Sequence, residues 1–164
     1  MKPSVFIALG SNLGDSRNIL HQAMDRLAEF SAEPVLKSSL WQTAPVDCPP
    51  GSPPFVNAVV GLVPRSGQTP EGLLAALQQL EGEFGRRPKQ VMNEPRPLDL
   101  DLICFANESR NSVTLQLPHP RAAQRRFVLQ PLAELAPDLV LAGEKKTVQQ
   151  LLNGLQSAEV VLRL

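Results

Sequence analysis

The apolar positions of this chain follow two rhythms in turn. Val5-Phe6-Ile7-Ala8-Leu9 is an unbroken apolar run closed by Gly10, the pattern of a buried strand. Ile19, Leu20, Ala23, Met24 and Leu27 then recur at helical spacing behind Asp15 or Ser16 as N-cap. A second strand is expected over about 35–43, with Trp41 near its end, and a third over 55–60. Between them, residues 44–54 hold five prolines and a glycine with almost no periodicity, a long loop of the functional kind. Thr69-Pro70-Glu71 supplies the cap, first-position proline and first-turn acid of a helix start. Leu73, Leu77, Leu80 and Phe84 form its buried stripe, and Gly85 ends it. Glu81 rides the edge of that stripe, facing either a pocket or solvent. A strand over 98–105 completes the order βαββαβ.

That order is the ferredoxin-like pattern, an α+β fold with two helices on one face of an antiparallel sheet and the strand of Asp99 as its fourth. A turn at 107–112 and a return strand at 113–117 follow. Pro118-His119-Pro120-Arg121 then opens a turn of helix holding Arg125, Arg126 and Phe127. Pro131 is expected to start a short helix over 132–136, Thr147 to cap another over 148–155, and 160–164 to form a closing strand. These added C-terminal helices and strands predict a three-layer αβα sandwich. Residues 1–164 are expected to form a single domain, since 17.9 kDa is enough to bury its own core.

One strand carries the chemistry. Along Arg96-Pro97-Leu98-Asp99-Leu100-Asp101, alternation puts Leu98, Leu100 and Leu102 on one face and Asp99 and Asp101 on the other. Aspartate is depleted in strands. Two carboxylates at positions i and i+2 stand about 6.5–7 Å apart and repel by roughly 2–3 kcal/mol at an effective dielectric near 20. A divalent cation offsets that cost. Mg²⁺ takes one or two carboxylates plus substrate phosphates, and two ions about 3.5–4 Å apart can clamp an in-line displacement. A solvated edge strand is the plainer alternative. It leaves the preceding loop unexplained, where residues 85–97 carry four cations and three prolines. Acids for a metal beside bases for phosphates point to phosphate transfer from a Mg²⁺–nucleotide.

Composition narrows the partners. A formal net charge of +0 and 4% aromatic content without tyrosine argue against nucleic-acid binding. Cys48, Cys104, His21 and His119 show no zinc spacing, so both cysteines are expected as free thiols. Val5 to Leu9 is too short for a signal-peptide core, and no apolar run approaches a membrane span. The expected address is the cytoplasm. Phe55 and Asn57 share a strand face, setting an aromatic plate beside an amide, although Phe55 could equally be core.

Gly10-Ser11-Asn12-Leu13-Gly14-Asp15 lies between a strand and a helix but lacks the lysine of a P-loop. Taken with Pro95-Arg96-Pro97-Leu98-Asp99-Leu100-Asp101 and Pro118-His119-Pro120-Arg121, it closely resembles the 6-hydroxymethyl-dihydropterin pyrophosphokinases of folate biosynthesis, from Phe6 to Pro137. The resemblance implies transfer of the β,γ-diphosphate of ATP to the pterin hydroxymethyl oxygen, leaving AMP. It implies two Mg²⁺ ions on Asp99 and Asp101, with Arg86 and Arg96 completing the catalytic set. The pterin would lie between Phe55 and Phe127, its edge met by Asn57 and by Thr43, Ala44, Pro45 and Val46. ATP would meet Gln78, Glu81, Arg86, Arg96, Leu102, His119 and Arg125. Pro88, Asn93 and Glu94 depart from the family pattern in the lid loop. The implied partners are the two small-molecule substrates, with a monomer expected. A nucleotidyltransferase also sets Asp-x-Asp on a strand, but with Gly-Ser close upstream, whereas Gly10-Ser11 lies far earlier in this chain.

Overall fold

The computed structural model describes residues 2–44, 49–86 and 94–164. Expectations for Pro45, Val46, Cys48, Pro88 and Asn93 lie outside the described residues.

β1 (Val5–Ser11) leads into α1 (Ser16–Leu27), whose N-cap is Asp15, accepting the Asn18 N–H. β2 (Leu36–Lys37) and β3 (Trp41–Thr43) precede β4 (Phe55–Leu62). α2 (Pro70–Glu83) is capped by the Thr69 hydroxyl oxygen, which accepts the Gly72 N–H at 3.0 Å. β5 (Asp99–Phe105) follows, then the hairpin of β6 (Arg110–Asn111) and β7 (Gln116–Leu117). α3 (Arg126–Leu135), α4 (Val148–Gly154) and β8 (Val161–Arg163) finish the chain, with a capping box between Thr147 and Gln150 at the head of α4.

The main sheet runs β5-β1-β4-β3-β8, with β2 also pairing β4, and every one of these pairings is antiparallel. The fold is therefore α+β. Its core has two halves. Ile7, Leu9, Ala58, Val60, Leu100 and Leu102 meet α1 and α2, while Phe6, Val59, Ile103 and Cys104 meet α3 and α4. Alternating side chains serve one half or the other, which is why β1 and β4 are almost wholly buried.

Four elements differ from the sequence pattern. The strand expected over 35–43 is two strands, because Lys37 faces Val60 and Trp41 faces Asn57, leaving one residue too many between them. Ser38 absorbs the irregularity: its N–H bonds the Val59 carbonyl at 2.9 Å and its Oγ accepts the Val59 N–H at 2.9 Å. The return strand at 113–117 is a two-residue arm, with Val113 fully exposed. Pro131 starts no new helix; it sits inside α3, where it cannot supply the N–H that the Phe127 carbonyl would take. Val128, Leu129, Leu132 and Ala133 are all buried, and that packing outweighs the lost bond. Finally, β5 bulges at Ile103: Ile7 faces Leu102 but Phe6 faces Cys104, so Ile103 and Cys104 both point into the α3–α4 half.

Candidate active site

Alternation along β5 sorts its side chains as the spacing requires. Leu98, Leu100 and Leu102 are buried with α1 and α2, while Asp99 and Asp101 are only half-buried and line two adjoining cavities. The first, about 220 Å³, is walled by Thr43, Ala44, Phe55, Asn57 and Phe127. The second, about 550 Å³, is walled by Gln78, Glu81, Arg86, His119, Arg121 and Leu100. Arg96, Asp99, Asp101 and Arg125 line both.

Charge is concentrated at that shared wall. Asp99 takes Arg86 Nη1 on Oδ1 at 2.8 Å and Arg96 Nη1 on Oδ2 at 3.2 Å. Arg86 also donates to Glu81, and Glu81 accepts the Leu100 N–H at 2.8 Å. The alternatives left open for Glu81 are thereby settled for the pocket side: it is 8% exposed, and burial pushes its pKa up. The Asp101 carboxyl is pushed up to about 6, first by burial and then by the charge of Asp99, against the opposing pull of Arg125. A carboxylate so held is costly until a cation arrives beside it. His119 is driven below its usual range by burial and by the cations Arg125 and Arg121. Its backbone N–H bonds the Ile103 carbonyl at 2.8 Å, so the bulge in β5 anchors the turn that carries it.

In the first cavity, Thr43 Oγ1 donates to Asn57 Oδ1 at 2.8 Å. That leaves the Asn57 amide N–H₂ for the cavity. A Cβ at Gly10 would come within 3.2 Å of Asn57 Nδ2 and 3.7 Å of Phe55 Cδ1, so glycine forms the floor there. Arg125 stacks over the Phe127 ring at 5.4 Å. Leu102 is buried, and its stretch of β5 borders a third cavity of about 340 Å³ with Leu74, Thr114 and Gln116.

Every described residue expected at the site thus borders one of these three cavities. His21 and Cys104 do not, and burial pushes the Cys104 thiol up to about 12. The pattern missed Asn12. At 1% exposure it accepts the Arg96 N–H on Oδ1 at 2.7 Å, donates its own N–H to the Arg96 carbonyl at 3.0 Å, and reaches the Pro53 carbonyl at 3.4 Å. One buried amide therefore ties the bases of both loops; its place between a strand and a helix was the available signal. Arg121 and Glu159, which also line these cavities, were not among the expected site residues, because loops carry no periodicity.

Among the described residues no helix is long and apolar enough to cross a membrane. The sequence model of the 7,8-dihydro-6-hydroxymethylpterin-pyrophosphokinase family matches residues 6–137. The 2-amino-4-hydroxy-6-hydroxymethyldihydropteridine pyrophosphokinase of Bacillus subtilis is 40% identical over 136 residues, covering 82% of this chain and 79% of that protein. Its namesake from Pseudomonas aeruginosa is 41% identical over 140 residues, covering 84% and 83%. In fold, the chain is similar to the Plasmodium falciparum HPPK-DHPS crystal structure with pteroate, at a TM-score of 0.70 and 12% identity. The match covers 91% of this chain and 41% of that one.

Proposed function

This chain belongs to the 7,8-dihydro-6-hydroxymethylpterin-pyrophosphokinase family, and from that premise we propose that its site moves diphosphate from ATP to the hydroxymethyl oxygen of 6-hydroxymethyl-7,8-dihydropterin, leaving AMP. The observation that carries this reading is the shared wall: Arg96, Asp99, Asp101 and Arg125 border both the aromatic cavity and the cationic one. A phosphoryl group passing between two substrates has to cross such a wall.

The flat pterin lies between Phe55 and Phe127, and the Asn57 amide, oriented by Thr43, meets its polar edge. The backbone at Thr43 and Ala44 completes that edge. ATP runs along the free side of β5, with its base by Leu102 and its phosphates among Arg86, Arg96, His119 and Arg125, while Gln78 and Glu81 face it from α2. Arg86 and Arg96 then leave Asp99 to meet the charge that develops on the transferring group.

Asp99 and Asp101, which border both cavities, suit Mg²⁺, an ion that takes one or two carboxylates plus substrate phosphates. When bound, Mg²⁺, two ions on this reading, neutralises the triphosphate and acidifies the attacking hydroxyl. Asn12, bonded to Pro53 and to Arg96, holds their two segments together beside the site, which helps to exclude water that would hydrolyse ATP. On this reading residues 1–164 form one pyrophosphokinase domain with a ferredoxin-like core and three αβα layers, acting as a cytoplasmic monomer.

The test is incubation with ATP, Mg²⁺ and 6-hydroxymethyl-7,8-dihydropterin, with the nucleotides resolved by chromatography. AMP and a diphosphorylated pterin are expected in equal amounts. Release of pyrophosphate with a nucleotidylated pterin, or of ADP, would overturn the reading.

A further inference from the structure

Helix α3 begins on residues that capping would not choose. Its N-cap is Arg125, whose guanidinium has donors only, and that side chain makes no cap bond. Arg126 follows, so two cations stand where the helix dipole favours anions. The reason lies in the site. Arg125 lines both cavities and stacks over the Phe127 ring at 5.4 Å, and Phe127 walls the aromatic cavity. The first turn of α3 thus serves the site against its own local preference.

The segment joining α4 to β8 compensates. Glu159 Oε1 accepts the backbone N–H of Arg126 at 3.2 Å, supplying from 33 residues away the acceptor that Arg125 lacks. The carboxylate is itself held: the Ser157 hydroxyl donates to the same oxygen at 3.2 Å, and Ser157 Oγ accepts the Glu159 N–H at 3.1 Å. Arg126 crosses the other way, its Nη2 donating at 3.2 Å to the carbonyl of Leu155, the C-cap residue of α4. Each helix end therefore receives the sign of charge that its dipole favours, an anion at the head of α3 and a cation at the tail of α4. Two residues on, Val161 pairs with Thr43 and anchors the segment in the sheet.

We propose that Glu159 is a positioning residue for the pterin site, acting through the first turn of α3, whose fixed course sets the Phe127 ring and the Arg125 guanidinium in place. This inference rests on the placement of the pterin between Phe55 and Phe127. The polar edge of the pterin stays with Asn57 and its neighbouring backbone, and Glu159 makes no bond to the ring. A stacking wall works only when it stands at contact distance and in the right plane. With no acceptor for the Arg126 N–H the turn frays, and the wall it carries loses that plane for part of the time.

The experiment is a double-mutant cycle on kcat/KM for 6-hydroxymethyl-7,8-dihydropterin, built from Glu159→Ala, Phe127→Ala and the two together. Glu159→Ala should lower kcat/KM about fivefold in the parent. In the Phe127→Ala background the same change should cost less than about twofold, because the wall that Glu159 positions is already gone. Glu159→Gln keeps an oxygen for the Arg126 N–H and should retain at least about half of the parent value. If Glu159→Ala does not fold, Ser157→Ala, which loosens the carboxylate without removing it, supplies the same cycle with an effect of about twofold. Equal losses in the two backgrounds would overturn the proposal, since Glu159 would then act on the substrate directly or on the fold at large. So would a lowered melting temperature with kcat/KM unchanged, which would leave Glu159 a helix cap alone. Parent protein that fails to turn over the pterin at all would instead refute the functional reading, and this proposal with it.

Discussion

Glu81 and Leu100 are joined across the gap between α2 and the free edge of β5, the carboxylate accepting the backbone N–H at 2.8 Å. An edge strand must find partners for its outward amides, and here a buried acid serves both as that partner and as a seat for Arg86. Glu81→Ala leaves a buried amide and a guanidinium short of an acceptor. A loss of about 1–3 kcal/mol is expected in chemical denaturation. Glu81→Gln still offers an oxygen to Leu100 and should recover most of it.

Asp101→Asn should stabilise the Mg²⁺-free protein while abolishing turnover. The folded state holds the Asp101 proton up to about pH 6, well above the ordinary value of 3.8. An acid whose folded pKa is raised favours folding at low pH, and that favour is lost as pH climbs through the window between the two values. About two units correspond to roughly 2–3 kcal/mol. Denaturation curves at pH 8 should show a gain of that order for the variant, fading to nothing below about pH 4, where both states keep the proton.

Gly10→Ala places a methyl 3.2 Å from Asn57 Nδ2. The amide is pinned by Thr43 and cannot retreat without breaking that bond. Pterin affinity measured by calorimetry should fall about tenfold, while affinity for a non-hydrolysable ATP analogue with Mg²⁺ stays the same.

Phe127→Ala removes one wall of the aromatic cavity and the face over which Arg125 stacks. Pterin binding should weaken by roughly 1–3 kcal/mol, far more than nucleotide binding, in the same calorimetric titration.

Much of this arrangement was legible in the residues alone. The split of Leu98, Leu100 and Leu102 from Asp99 and Asp101 follows from the two-residue period of a strand, and the caps Asp15, Thr69 and Thr147 follow from local hydrogen bonding. What escaped the pattern depends on distant partners. The extra residue near Ser38 exists only relative to Val59, and α3 runs through Pro131 because its far neighbours bury it. Glu81 could be placed only once Leu100 was known to lie across from it. Asn12 and Glu159 act through hydrogen bonds to remote backbone, which no periodicity announces.

The bulge at Ile103 carries one more lesson. Removing a single residue there would restore an unbroken zigzag, with the leucines and aspartates upstream and Phe105 downstream all keeping their present sides. One of the two side chains buried against α3 and α4 would nevertheless be lost. What would also vanish is the outward carbonyl that fastens His119, so the strand gives up its own regularity to tether a neighbouring turn. A variant shortened there should lose both a buried side chain and the tether, and melt at a lower temperature than the parent.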